Sequence, residues 1–389
     1  MTEFGGWEMP VEFDSIRTEH AAVRTAAGKF DVSHMGQVAV SGPDAAELMD
    51  RLTTNDITAL EPGDAQYSAV TDRSGVLLDD TVVYRLPETA RTPRLDADYL
   101  LVPNAGHDAR MYDRWVETAE ASGFDATVEN VTEAVGMVAL QGPGAIDLLA
   151  GNCASPASIS RFAAEFREVA SVDCLVARTG YTGEDGVELL FDADEAAAVW
   201  SALDCQPCGL GSRDTLRLEA GFLLSGQDFH PEEKPRTPYE AGIGFAVDLD
   251  GEFVGREALT EQREAGVDEK LVGFRLEERG IARHGHPIVV DGEEVGTVTS
   301  GTMEAGNRRG APVLRAGRLT RVGRGANLGG DFVGTRRIRT VLPEGATAPK
   351  FGLSGIDGAD DGNRFDLRDA EFSLTTMLDG GPALPDSTP

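Results

Sequence analysis

Two adjacent carboxylates, Asp79 and Asp80, stand among apolar residues in the segment 75–83 (GVLLDDTVV). Alternation along a strand places the two side chains on opposite faces, so only one can point into a site together with the apolar neighbours. Removal from water there would raise its pKa toward the range of a useful acid or base. The other interpretation is an acidic turn in an acidic protein, which residue statistics alone favour. Both interpretations are open at this level.

The segment 178–188 (RTGYTGEDGVE) combines glycines with an aromatic ring and a following carboxylate. Its glycines let the backbone approach another molecule closely, Tyr181 offers a stacking face, and Glu188 stands on the strand that follows. A planar heterocycle with N–H donors would suit this combination. A hairpin with a surface tyrosine explains the same residues, because Glu184-Asp185-Gly186 is a common turn sequence.

The segment 212–221 (SRDTLRLEAG) predicts a short helix that ends at Gly221. Arg213 falls in the first turn, where the helix dipole favours acidic rather than basic side chains. A cation in that position can be retained for an anionic ligand. A salt bridge to Asp214 or Glu219 is the alternative.

Other groupings point to no site. Ser33 and His34 are adjacent and would face opposite ways on a strand, so they cannot form a nucleophile and its base, and a packed strand and turn is favoured. Cys205 and Cys208 lack the second pair that a zinc site needs, and residues 284–286 (HGH) have no further ligands nearby. No metal is predicted.

The elements that must position these residues include an internal repeat. Residues 38–49 and 138–149 each read as a strand, a tight Gly-Pro turn and a helix with proline in its first turn, which implies two related α/β halves. Short strands are predicted at 67–70, 76–78 and 81–84, in an antiparallel sheet.

Further elements follow these strands along the chain. The spacing of apolar residues predicts helices over 108–122 and 194–203, and short strands split by glycine and aspartate predict a small β-rich domain from residue 247 onward.

Length and charge limit the class of protein. A chain of 389 residues favours two or three domains, and its formal net charge of −31 indicates an organism with a salty interior. Such acidity argues against nucleic acid as a partner. The sequence shows neither a membrane-spanning apolar run nor a signal peptide, so a cytoplasmic location without membrane association is expected.

Several segments together resemble one family, the T-protein or aminomethyltransferase of the glycine cleavage system. The resemblance runs in order from about residue 3 to residue 302, over 4–11 (FGGWEMPV), 30–35 (FDVSHM), 75–80 (GVLLDD), 140–143 (LQGP), 180–188 and 213–221. It implies an α+β fold: a three-domain cloverleaf of two related α/β domains with mainly antiparallel sheets and a C-terminal domain resembling a β-barrel. It also implies transfer of a methylene group from the aminomethyl-dihydrolipoyl arm of H-protein to tetrahydrofolate, with release of ammonia.

The resemblance also assigns roles to residues. Asp80 matches the essential aspartate beside the reacting folate nitrogens, Glu188 the carboxylate that binds the pterin, and Arg213 the arginine near the glutamate tail of the folate. Further pocket positions fall on Tyr181, Tyr67, Asn104 and Met35. Phe245 stands where relatives often have tryptophan.

Domain boundaries follow from the same resemblance. A folate-binding domain is expected over 1–35 and 134–246, an α/β domain carrying Asp80 over 36–133, a β-rich domain over 247–345, and a disordered tail over 346–389. Met1 falls on a methionine at the end of a segment of about twenty residues with which relatives begin, so the start of the protein is expected upstream.

The sequence departs from the family after residue 303. Residues 304–350 carry nine arginines and one lysine against three acidic residues, which suggests a reading-frame shift near codon 303. Two alternatives to aminomethyl transfer therefore stay open: another folate-dependent one-carbon enzyme of the same superfamily, and a folate-binding chain that is inactive because its last domain is incomplete.

Overall fold

A computed structural model of the chain describes residues 1–88, 92–275, 283–290, 293–302, 313–320 and 338–340. The strands, in chain order, are β1 (Thr2–Phe4), β2 (Trp7–Met9), β3 (Gly28–Asp31), β4 (Val38–Ser41), β5 (Ala65–Thr71), β6 (Leu77–Arg85), β7 (Tyr99–Val102), β8 (Thr127–Asn130), β9 (Val135–Gln141), β10 (Ala164–Val169), β11 (Val172–Ala177), β12 (Gly186–Asp192), β13 (Gln206–Cys208), β14 (Glu269–Arg275), β15 (Pro287–Val290), β16 (Glu293–Gly301), β17 (Val313–Thr320) and β18 (Ile338–Thr340). The helices are α1 (Ile16–Thr25), α2 (Ala45–Leu52), α3 (Asp108–Ser122), α4 (Ala145–Leu149), α5 (Ala196–Ala202), α6 (Leu210–Ala220) and α7 (Arg256–Ala265).

The first large sheet has the order β5-β6-β7-β4-β8 and is antiparallel throughout. Apolar side chains from its strands and from α2 and α3 form one buried core, which includes Val40, Leu48, Val83, Leu101 and Trp115. The prediction of α3 is confirmed at both ends. Gly123 ends that helix in the left-handed conformation, with φ of 72°.

The second large sheet has the order β10-β11-β12-β9-β3-β13, and only the pairing of β13 with β3 is parallel. Its core is built from the strands together with α4 and α5, and includes Leu140, Leu149, Val176, Phe191 and Val199. Helix α5 starts at Ala196, two residues later than predicted, because a 3₁₀ turn over Ala193–Glu195 precedes it.

The repeated unit is confirmed as strand, turn and helix in both halves. Gly42 and Gly142 have φ of 118° and 134°, and a Cβ atom there would lie 2.6 Å and 2.5 Å from a backbone oxygen. Only glycine fits such a turn. The predicted place of proline was wrong: α2 and α4 begin at Ala45 and Ala145, so Pro43 lies in the turn before the helix rather than in its first turn.

The predicted break between strands at the two carboxylates was also wrong, because 77–85 is one strand, β6. A bulge interrupts its pairing with β5: Val70 lies opposite Asp79, but Thr71 lies opposite Leu77. The extra residue, Leu78, adds local twist directly beside the carboxylates. Asp79 and Asp80 are therefore held inside a sheet, not in a loop.

The chain divides into two compact units. One comprises Met1–Asp214, His230–Pro238 and Ile243–Glu261 and contains both sheets described above; the other comprises Thr215–Phe229, Tyr239–Gly242 and Gln262–Pro389. The second unit contains an antiparallel sheet of order β14-β17-β16-β15-β18, whose outer strands do not pair with each other in the described part of the chain. The α+β class with mainly antiparallel sheets is confirmed.

Strands β17 and β18 lie beyond residue 303 and complete this last sheet. The expected tail over 346–389 lies outside the described residues, and the domain boundaries stay a prediction. Within the described residues, none of the helices combines the length and apolar character needed to cross a membrane.

Candidate active site

The carboxyl group of Asp80 is held by two side chains from neighbouring elements. Tyr67, on the adjacent strand β5, donates its hydroxyl proton to Oδ2 over 2.7 Å. Asn104 follows β7 in the chain and donates from Nδ2 to Oδ1 over 2.9 Å. Both carboxyl oxygens are thus oriented, while part of the Asp80 surface stays open to solvent.

Asn104 also binds the second carboxylate of the pair. Its Nδ2 lies 2.6 Å from Asp79 Oδ1, and its backbone N–H donates to Asp79 Oδ2 over 3.2 Å. Burial and then the charge of Asp79 raise the pKa of Asp80 to about 6, although the bonds from Tyr67 and Asn104 oppose the change. Asp80 can therefore both accept and donate a proton close to neutral pH.

Glu188 lies on β12 and is oriented by a short chain of hydroxyl groups. Thr179 Oγ1 donates to Glu188 Oε2 over 2.5 Å, and Tyr84 Oη lies 3.0 Å from Thr179 Oγ1 and 3.5 Å from the same carboxylate oxygen. Because each hydroxyl has one proton, the distances assign Tyr84 as donor to Thr179 and Thr179 as donor to Glu188. Burial raises the pKa of Tyr84 well above its ordinary value, so it stays protonated.

Opposing effects act on the pKa of Glu188. Burial raises the pKa of Glu188, whereas the bond from Thr179, the positive charge of Arg213 and the nearby Tyr84 hydroxyl lower it. All the described hydrogen bonds reach Oε2, so Oε1 is left to accept an N–H group from a ligand.

Arg213 forms a third cluster with Tyr181 and Met35. Its guanidinium carbon lies 4.4 Å from the centre of the Tyr181 ring, in the geometry of a cation–π contact, and its Nη2 lies 3.8 Å from Met35 Sδ. Helix α6 begins at Leu210, two residues earlier than predicted, and ends as predicted before Gly221. Arg213 as a whole residue is only partly buried.

The structure thus brings the predicted residues together in three groups: Asp80 with Tyr67 and Asn104, Arg213 with Tyr181 and Met35, and Glu188 near the charge of Arg213. Strand β6 carries both Asp80 and Tyr84 and so links the Asp80 group with Glu188. By alternation Tyr84 faces the same side as Asp80, and its hydroxyl reaches the neighbourhood of Glu188.

Sequence reasoning missed three contributors to this site. Asp79 was recognised only as the neighbour of Asp80, whereas the structure shows it sharing the Asn104 amide. Thr179 lies inside the glycine-rich segment already singled out, so its position was a usable signal. Tyr84 gave none, because it contacts Glu188 across 104 residues of sequence.

An exposed aromatic ring borders the Asp80 cluster. Phe245 is 75% exposed, and its ring stacks on that of Tyr67 with centroids 5.8 Å apart and an angle of 26°. The ring offers a further flat surface beside Asp80.

These groups together suit one kind of molecule: a flat ring with N–H donors for Glu188, a nitrogen that exchanges a proton with Asp80, and an anionic end for Arg213. The family model described as GCVT N-terminal domain matches residues 1–251, and the one described as glycine cleavage T-protein C-terminal barrel domain matches residues 269–310.

Curated relatives and a solved structure give the same result. A probable aminomethyltransferase of Natronomonas pharaonis is 66% identical over 78% of this chain and 83% of its own length, and an aminomethyltransferase of Listeria monocytogenes is 45% identical over 77% and 81%. The crystal structure of the glycine cleavage system aminomethyltransferase T from Bartonella henselae superposes with a TM-score of 0.74 at 28% identity, covering 88% of this chain and 89% of that one. The chain belongs to the glycine cleavage T-protein family, the aminomethyltransferases.

Proposed function

We propose that the chain transfers the methylene group of aminomethyl-dihydrolipoyl H-protein to tetrahydrofolate. The carbon–sulfur and carbon–nitrogen bonds of the aminomethyl group break, and two new carbon–nitrogen bonds form to the folate. The two N–H protons that the folate gives up are distributed to the lipoyl thiol and to the departing ammonia, so atoms and charge balance without an oxidant. The proposal rests on the geometry of Asp80 in a member of the aminomethyltransferase family.

Asp80 is the catalytic residue in this proposal. Its carboxylate can stabilise positive charge on the folate nitrogens, accept one of their protons and return it to the leaving amine. A pKa near 6 supports both directions of transfer at neutral pH. Holding the lipoyl arm beside the folate would make the transfer effectively intramolecular.

The remaining residues are proposed to bind tetrahydrofolate. Glu188 Oε1 would accept an N–H group of the pterin, and Arg213 would bind the negative glutamate tail. Tyr67, Asn104, Tyr181 and Met35 would line the pocket. In this scheme the folate is consumed as a substrate, and none of the steps uses a metal.

The direct test uses the whole chain in high salt with aminomethylated H-protein and tetrahydrofolate, and follows ammonia and methylenetetrahydrofolate together. Asp80→Asn should lower the transfer rate by about 100-fold or more, because it removes the proton acceptor but preserves shape. Folate binding, measured by fluorescence titration, should be largely retained. Asp113→Asn, at an exposed carboxylate on α3, is the matched control and should transfer at the rate of the unchanged chain.

Other outcomes select among the alternatives. Folate binding without any transfer would favour an inactive folate-binding chain. Transfer from another one-carbon donor, but not from H-protein, would favour a different member of the superfamily. An unchanged rate in Asp80→Asn would remove Asp80 from the mechanism.

A further inference from the structure

Behind Asp80 lies a second layer of polar side chains that does not face the open side of the site. Asp79 is fully buried, with 0% of its side chain exposed, and it has several hydrogen-bond donors around it. Its Oδ1 accepts from Asn104 Nδ2 at 2.6 Å and from the backbone N–H of Asp80 at 3.0 Å. Its Oδ2 accepts from the backbone N–H of Asn104 at 3.2 Å and lies 3.1 Å from His107 Nδ1.

This arrangement stabilises Asp79 as an anion. A buried carboxylate that receives donors on both oxygens keeps its charge, because every lone pair that faces the protein is matched. A protonated Asp79 would instead place its own hydrogen against one of these donors. The fold thus surrounds the carboxylate next to Asp80 with hydrogen-bond donors.

His107 contributes to this stabilisation through one particular tautomer. Its Nδ1 lies 3.1 Å from both Asp79 Oδ2 and Arg110 Nη2. Arg110 can only donate, and it already donates to the backbone oxygen of Leu78 over 2.7 Å. A charged Asp79 can only accept, so a hydrogen bond across the 3.1 Å between Oδ2 and His107 requires the proton on Nδ1, and we assign that tautomer.

We propose that Asp79 and His107 form a positioning pair for Asp80: the anchored negative charge of Asp79 makes Asp80 hold its proton more tightly, and His107 moderates that charge. The link to catalysis rests on the proposed function, whereas the electrostatic coupling does not. Asp79 is shielded from substrate, so it acts through Asp80 alone.

The charged and titratable groups that contact Asp80 or the pair come from three elements. Tyr67 approaches from β5, Asp80 from β6 itself, and Arg110 from α3. Asn104 separates the two carboxylates but cannot carry a proton between them, because its amide only donates here. The coupling between the two carboxylates is thus electrostatic. The side chain of His107 is 22% exposed, so the pair contacts solvent there.

The test reads the proton on Asp80 without any turnover. Infrared difference spectra between the whole chain and Asp80→Asn isolate the band of the protonated Asp80 carboxyl, which is followed from pH 4 to pH 8 at constant high salt. In Asp79→Asn the loss of the neighbouring charge should move this titration about one unit lower. In His107→Ala, Asp79 loses a donor, so the titration should move higher.

The two variants are chosen to shift the titration in opposite directions, which a general loosening of the site would not do. Asp113→Asn again serves as the control and should leave the titration in place. Should Asp79→Asn fail to fold by circular dichroism, His107→Ala alone decides, since its side chain is partly exposed. An unmoved titration in the folded variants, or a downward shift in His107→Ala, would overturn the proposal.

Turnover then separates this inference from the proposed function. In an active chain, the acid limb of the pH profile of kcat should shift with the infrared titration in each variant, with the KM for tetrahydrofolate unchanged. An inactive chain that still shows both infrared shifts would sink the proposed function and leave the coupling intact. Infrared shifts without a shift of the acid limb would show that Asp80 is not the titrating catalyst.

Discussion

His34 is a buried side chain with no use in the proposed reaction. It is 1% exposed, and neither ring nitrogen has a hydrogen-bond partner in the described part of the chain. Its ring meets that of Phe4 edge to face, with centroids 5.5 Å apart. Burial, followed by the positive charge of Arg213, lowers the pKa of His34 to about 3. The imidazole is therefore neutral in the folded protein.

This neutral histidine should make stability depend on pH. Below pH 6.5 the unfolded chain binds a proton there that the folded chain does not bind until about pH 3, so stability falls as the pH is lowered through that window. At pH 5 this protonation of the unfolded chain lowers the free energy of unfolding by about 2 kcal/mol, and we expect His34→Phe to remove that loss. Denaturant unfolding at pH 5 and pH 7.5, in constant salt, measures it.

Phe4→Leu is the control for the loss of packing, because it alters the ring contact but leaves His34 in place. It should change the free energy of unfolding by a similar amount at both pH values. Identical pH dependence in His34→Phe and the unchanged chain would show that His34 is solvated or charged in the folded state.

The sequence predicts individual functional residues better than it predicts which residues they contact. Asp80 and Glu188 stand out as candidates because their segments are unusual and match a family. Strand alternation predicts that Asp79 and Asp80 face opposite ways, yet one Asn104 amide reaches both, beside a bulge at Leu78. A rule of alternation contains no such local irregularity.

At the scale of elements, Glu19 fixes the start of the helix that carries Arg213. The side chain lies in the first turn of α1 and is fully buried. One oxygen accepts from the backbone N–H groups of Phe13 and Asp14, at 2.6 and 3.1 Å. The other accepts from the backbone N–H of Gly209 at 2.9 Å and from the Ser212 hydroxyl at 2.8 Å, at the beginning of α6. Two distant segments therefore share one carboxylate.

Removing this carboxylate should be far more costly than removing an exposed one. Glu19→Ala strands four buried or partly buried donors, and we expect a loss of about 3 kcal/mol or more in the free energy of unfolding. Glu47, in the first turn of α2, is exposed and supplies the matched control. Glu47→Ala should lose only the helix-dipole term, about 0.3–1 kcal/mol. Equal losses would mean that the contacts of Glu19 add nothing beyond the dipole.

Element prediction succeeded where periodicity is long and failed where it is interrupted. The 15 residues of α3 show helical spacing throughout, and both ends were predicted. The sequence predicts a break in strand β6 at its two carboxylates, because charged residues usually leave a sheet. The side chains that hold Asp79 inside the sheet are Asn104 and His107, 25 and 28 residues further along the chain. Such distant partners are invisible to a local pattern.

For the whole molecule, charge is the dominant feature. With 66 acidic against 35 basic residues, the net charge of −31 must be spread over the surface, because only a few of the carboxylates in the described ranges are buried. Repulsion between two such charges 10 Å apart is about 0.4 kcal/mol in water without salt. Many weak pairs add up, and the folded state concentrates them more than the unfolded chain does.

Screening by salt should therefore stabilise the fold strongly. The Debye length falls from about 10 Å at 0.1 M to about 3 Å at 1 M, which removes most repulsion beyond nearest neighbours. We expect Tm to rise by roughly 10 °C between 0.1 and 1 M KCl, with little further gain from screening above that. Thermal unfolding followed by circular dichroism measures this rise.

An osmolyte distinguishes screening from a general exclusion effect. Sucrose strengthens burial without screening charge. We therefore choose a sucrose concentration that raises the Tm of an uncharged protein as much as 1 M KCl does. For this chain, that concentration should give only a small part of the Tm rise seen with KCl. A rise in Tm that continues in proportion to salt well past 1 M, or that sucrose reproduces in full, would mean that solvent exclusion rather than charge sets the salt requirement. Such a result would mean that the acidic composition does not determine the stability of the fold and that its effect is on solubility.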